Sequence, residues 1–95
     1  MDEIPLDGRS WRTANDFYKA YLAAVGAPDW HGRNVDALWD SLTAGDINRR
    51  NPPFRARIAG LTEMSADARQ MVERFAAFAA EARAAGHAVE VEYER

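Results

Sequence analysis

A chain of 95 residues with no cysteine makes one domain, residues 1–95, without a disulfide framework, a thiolate nucleophile or a cysteine metal site. Its 12 Lys and Arg against 15 Asp and Glu leave a net charge of −3 and a pI near 5.3, which argues against nucleic acid and anionic membrane as partners and favours a basic macromolecule. An aromatic content of 11% excludes a disordered chain, and a domain this small suits a binding module better than an enzyme with an enclosed active site. The start carries Asp2 and Glu3 and no apolar run, so the expected location is the cytoplasm and not a secretory route.

Ile4-Pro5-Leu6 followed by Asp7-Gly8 reads as a short strand closed by a turn, with Pro5 at a strand start or at a position that owes no hydrogen bond. A helix is predicted over 14–25. Thr13 with Asp16 three residues on is a capping-box pattern, Ala14, Phe17, Tyr21 and Val25 share one face, and Gly26 with Pro28 ends the element. After a loop carrying Trp30 and His31, Asn34 caps a second helix in which Val35, Leu38, Trp39 and Leu42 recur at helical spacing as one buried stripe. Gly45 to Pro53 is a polar, turn-rich connection. Phe54, Ala56 and Ile58 then alternate with Arg55 and Arg57 in strand period. A long helix starts near Ser65 and Asp67, turns Ala68, Met71, Val72, Phe75, Ala79 and Ala82 inward, and stops at Gly86; Val89, Val91 and Tyr93 alternate with Glu90 and Glu92 in a last strand.

Strand, helix, helix, strand, helix, strand is an α/β order, and helical crossovers between strands favour a three-stranded parallel sheet packed with three main helices. Arginines on one strand and glutamates on another predict a sheet face open to water and partly charge-matched, against the rule that parallel sheets are covered on both sides.

The segment Asp29 to Thr43 carries the chemistry. Asp36 and Asp40 fall one helical turn apart on the flank of the apolar stripe. Asp36, in the first turn, favours the positive end of the helix dipole by roughly 0.3–1 kcal/mol, so structure alone explains it. Asp40 lies too far in for that, repels Asp36 at i,i+4, and has no basic residue three or four positions away. Trp30 reads equally as an apolar anchor for a partner or as a plug over the core. His31 with the two aspartates lacks a third ligand at metal spacing, and His87 after Gly86 is a residue suited to a helix C-terminus.

The pattern Pro28-x-Trp30-x-Gly32-x-Asn34-x-Asp36-Ala37-Leu38-Trp39-Asp40-x-Leu42-Thr43 resembles the core of the barstar family, small intracellular inhibitors of microbial ribonucleases. The similarity continues into the helix that ends Glu81-Ala82-Arg83-Ala84-Ala85-Gly86, and the stretch Ala44 to Ser65 matches least. The resemblance implies a barstar-like fold, no cofactor, no bound metal, no catalysis, and a 1:1 complex between a monomer and a small secreted or toxin-type ribonuclease. It implies partner-binding roles for Trp30, where the family typically has tyrosine, and for Gly32, Asn34, Asp36, Asp40 and Glu81, with the aspartates occupying the space of substrate phosphates. An immunity or adaptor module on the same fold, neutralising a toxin that is not a ribonuclease, is the rival expectation, and a carboxylate-dyad hydrolase is a third. Two positions depart from the family: Arg33 stands where it commonly has an acid or another non-basic residue, and Gly45 where it has an aromatic. Arg33 either pairs with Asp36, repels a basic nuclease at the rim, or meets an acidic feature of a different partner, unlike the usual ribonucleases.

Overall fold

The computed structural model describes residues 1–43 and 47–94, so Gly45 lies outside the described residues. The elements run β1 (Asp2–Asp7), α1 (Ala14–Val25), α2 (Val35–Thr43), β2 (Phe54–Ala59), α3 (Ala66–Ala84) and β3 (Val89–Tyr93). The strands form one parallel sheet in the order β1-β2-β3, with Ile4 opposite Ala56 and Ala56 opposite Val91. The predicted α/β architecture is the one observed.

Backbone direction explains how the edges tolerate their residues. Gly8 N–H donates to Ala59 O, so the even-numbered residues of β1 face β2 and the odd ones face outward. Pro5 is therefore at an outward position, where its missing N–H removes no ladder bond. In β3, Glu94 N–H donates to Ile58 O and Ala88 O accepts from Phe54 N–H, which turns Val89 O to the free edge. Arg83 Nη1 donates to that carbonyl at 2.6 Å, and Arg50 Nη2 donates to Glu3 O, also outward, at 2.7 Å.

The core lies between one sheet face and the helices. Ile4, Leu6, Phe54, Ala56, Ile58 and Val89 meet Phe17, Tyr21 and Val25 of α1 and the six predicted inward residues of α3, all buried. Phe17, Tyr21 and Phe75 form its aromatic centre, with ring centroids 5.1–5.7 Å apart. The inward register of β3 fades from buried Val89 to Tyr93, 41% exposed, because an edge strand has a neighbour on one side only.

Local chemistry sets the helix ends. Thr13 Oγ1 accepts from Asp16 N–H at 3.4 Å, while Asp16 Oδ2 accepts from the N–H groups of Arg12 and Thr13 at 2.8 and 3.1 Å. This completes the predicted capping box and holds the Asp16 carboxyl below its ordinary pKa of 3.8. Gly26 closes α1 at φ 66°, a left-handed conformation that favours glycine. Ser65 caps α3 by accepting from Ala68 N–H and donates its own hydroxyl to Arg12 O, tying the start of α3 to the segment before α1.

The other sheet face is open and charged, as expected. Arg55 reaches Glu3, Glu90 and Glu92 at 3.5, 3.3 and 3.7 Å, and Arg57 reaches Glu3 and Glu94 at 3.4 and 2.9 Å. Each such half-exposed pair contributes at most about 1 kcal/mol, so the ladder matches charge across the strands more than it stabilises them.

Phe75→Ala should cost about 3–5 kcal/mol, a large share of the stability of a small domain, because it empties the aromatic centre. Urea unfolding measures this; a loss below about 1 kcal/mol would mean that Phe17 and Tyr21 collapse into the space. Acid should destabilise the fold through Asp2, Asp7 and Asp16, whose carboxyls are held below 3.8 by Arg50, by Arg9 and by the capping N–H groups respectively. A lowered folded pKa means that the unfolded chain binds more protons, so this stability is complete above 3.8 and is lost as pH falls through the lower folded values. The urea midpoint of Asp16→Asn should fall less between pH 6 and pH 3 than that of the parent, and equal falls would remove Asp16 from the acid response.

Candidate partner-binding site

The loop before α2 is built around a side chain that faces inward and one that faces out. His31 N–H donates to Pro28 O at 3.0 Å, closing a turn, and the buried His31 ring donates from Nδ1 to Gly32 O at 2.8 Å. Its Nε2 is buried without a partner among the described residues. Trp30 projects into solvent, 75% exposed. Of the two readings of Trp30, the plug over the core is the one the structure overturns, because its side chain lies in solvent while the neighbouring His31 is buried.

Gly32 fits its position for a packing reason. A Cβ there would come within 2.7 Å of Asn34 Nδ2 and 3.3 Å of Ala37 Cβ, pushing on the residues that start the helix. Asn34 does cap α2: its Oδ1 accepts from Ala37 N–H at 2.9 Å and its carbonyl from Leu38 N–H at 3.0 Å.

α2 is rotated from the expected stripe. Leu38, Ser41 and Leu42 are buried, whereas Val35 and Trp39 are only partly so. Trp39 was predicted as core but lies at the seam with α3, its ring centroid 6.0 Å from that of Phe78. The rotation is possible because Ser41 finds polar partners inside: its Oγ accepts from Asn48 Nδ2 at 2.8 Å and lies 3.3 Å from Tyr21 Oη. Burial pushes the Tyr21 hydroxyl up to about 12, with the Ser41 contact acting in the opposite direction. These three polar residues are a feature that apolar periodicity does not reveal; a serine between Asp40 and Leu42 was the available signal.

Asp36 and Asp40 are exposed, and neither has a hydrogen bond or ion pair among the described residues. Glu81 is exposed on α3, one turn beyond Phe78. The Trp39–Phe78 contact thus joins the two helices beside Asp40 on one and on the Glu81 face of the other. Trp30, Gly32 and Asn34 lie on the loop that leads directly into α2. Clefts of about 470 and 510 Å³ adjoin Gly60 and Glu94, and neither is lined by a residue of the 26–43 segment. The arrangement around α2 offers negative charge and an apolar ring on an outer surface.

Arg33 is exposed and does not pair with Asp36. Its Nη1 donates to Asn15 Oδ1 at 3.1 Å, across to the first turn of α1. Arg50, in the connection after α2, is bound to the Asp2 carboxylate at 2.6 and 2.9 Å, while its N–H donates to Val25 O. The connection is thereby pinned to the start of β1 and the end of α1.

A protein of Bacillus subtilis (strain 168) named "Putative ribonuclease inhibitor YrdF" is 40% identical over 43 residues. That stretch covers 45% of this chain and 47% of the relative, so the similarity spans about half the length of each. The family model described as Barstar (barnase inhibitor) matches residues 1–94, from before the first strand to beyond the last. With a match over nearly its whole length and a three-stranded parallel sheet joined by helices, this chain belongs to the barstar family.

Proposed function

We propose that this protein is a stoichiometric inhibitor of a small basic microbial ribonuclease, held in the cytoplasm and acting by covering the enzyme's active site with α2 and the loop before it. Membership of the barstar family supports the inhibitor reading, and the name of the Bacillus relative points the same way. The observation that carries the mechanism is the contrast among acids. Glu3, Glu90, Glu92 and Glu94 on the sheet face each have an arginine, whereas Asp36 and Asp40 stand exposed on an ordered helix with no cation beside them among the described residues.

An enzyme that binds a phosphodiester needs a basic site, so carboxylates at the right spacing occupy the subsites of the phosphates. Fixing them on a capped helix removes most of the ordering cost of docking, and their mutual repulsion in the free protein is relieved when cations arrive. Trp30 supplies a large apolar contact at the centre of the loop, Glu81 a further carboxylate from α3, and Gly32 with Asn34 keep the loop close against the helix start.

Titrating the protein into barnase while following RNA cleavage should give a linear loss of activity that ends at one equivalent. A sub-stoichiometric loss that grows with time would identify an enzyme instead. Among single variants, Asp40→Ala should weaken binding more than Asp36→Ala, and both more than Glu81→Ala. Folding should follow a different order: Asp40→Ala relieves i,i+4 repulsion and should match the parent or gain roughly 0.2–0.5 kcal/mol, whereas Asp36→Ala loses a first-turn dipole contact. Urea midpoints measured beside dissociation constants decide this, and a large stability loss for Asp40→Ala would assign that residue to the fold.

A further inference from the structure

Arg33 is the anomaly of the acidic face. Arg9, Arg50, Arg55 and Arg57 are matched by carboxylates, Arg12, Arg69 and Arg83 spend their N–H groups on backbone carbonyls, and the side chains of Lys19, Arg49 and Arg74 have no hydrogen bond or ion pair among the described residues. Arg33 is held by a neutral amide instead, through one of its five N–H donors. Asn15 thus fixes the direction of the guanidinium without cancelling its charge. The residue sits between Gly32 and the cap Asn34, three positions before Asp36, on the loop that leads into α2. On a uniformly basic target surface, a cation fixed there would oppose docking.

We infer that Arg33 is a specificity subsite that receives a carboxylate from the rim of the target ribonuclease, bidentate to the donors that Asn15 leaves unused. The inference rests on the inhibitor reading above and adds to it the chemistry of one point on the partner. A groove of about 310 Å³ beside Arg33, lined also by Lys19, Pro28, Asp29 and His31, gives a carboxylate side chain room to enter from the α1 side. A planar guanidinium matches a carboxylate fork better than an ammonium does, and the bond to Asn15 orients it before binding. A nucleic acid is a poorer occupant, because the net charge of −3 and the exposed Asp36 and Asp40 on the helix that follows repel a chain of phosphates.

The test uses the intact protein and barnase as the probe, with stopped-flow association at two ionic strengths and dissociation rates measured separately. Arg33→Glu should slow association and weaken binding by about tenfold or more at low salt, with the deficit shrinking as salt screens it, and Arg33→Gln should fall between. Asn15→Ala should weaken binding in the parent but have no further effect in Arg33→Gln, since Asn15 acts only by aiming the guanidinium. Replacing the acidic residues of barnase one at a time by lysine should reveal one position that restores Arg33→Glu. Asp40→Ala in the same assays separates the two readings. If Arg33→Glu binds as well as the parent or faster, and no barnase acid couples to it, the subsite is wrong while sensitivity to Asp40→Ala keeps the inhibitor reading. If the parent does not bind barnase, the inhibitor reading fails and takes the subsite with it. Binding of a short RNA that Arg33→Gln abolishes would also overturn the carboxylate assignment.

Discussion

A helix of nine residues does not persist in water by itself, so the presentation of Asp36 and Asp40 depends on the seam where Ser41 meets Tyr21 and Asn48. Leu38 and Leu42 supply the apolar contact, but an apolar stripe alone permits a range of rotations about the helix axis. The bond from Asn48 Nδ2 to Ser41 Oγ removes that freedom, because a buried hydroxyl left without a partner costs about 1–3 kcal/mol. Fixing Ser41 inward moves Trp39 to the edge against Phe78 and leaves both aspartates on the solvent side. Tyr21 in turn stacks on Phe17 and lies against Phe75, so the orientation of the acidic helix is referred back to the centre of the core.

Charge is handled in two ways on the same small body. On the open sheet face, acids and arginines alternate across the strands and satisfy one another, which leaves little for a partner to gain by displacing them. Around α2 the compensation is withheld. Withholding it costs a few tenths of a kcal/mol in repulsion between Asp36 and Asp40 and keeps the carboxylates available. Arg33 follows the same logic with the opposite sign, being oriented by an amide and not by an acid.

Much of this was legible before any coordinates. The ends of α1 and α3 follow from Thr13, Asp16, Gly26 and Ser65, because caps are local chemistry, and the inward residues of α3 follow from its period. The parallel direction of the strands follows from helices standing between them. Three things were not legible. Which of Trp30 and His31 turns inward is decided by the space left beneath the loop, and neighbours in a loop have no period to consult. Trp39 fell on the predicted stripe, yet polar partners for Ser41, one of them in a segment read only as polar connection, changed the rotation. The resemblance gives Gly32 a partner-binding role, but that a side chain there would also press on Asn34 and Ala37 has no signal in the sequence.

The two free edges of the sheet have a consequence for life at high concentration. A protein that neutralises its target one-for-one, as proposed, has to be kept at least as abundant as that target, and abundance favours strands that find each other and grow into fibrils. Here the outward carbonyls of Glu3 and Val89 are already occupied by Arg50 and Arg83, and Pro5 offers no donor. A strand arriving at either side would have to displace a guanidinium, and on the β1 side it would still find no donor at Pro5. The arginines that hold the connection and the last helix in place therefore also stand in the way of a fourth strand.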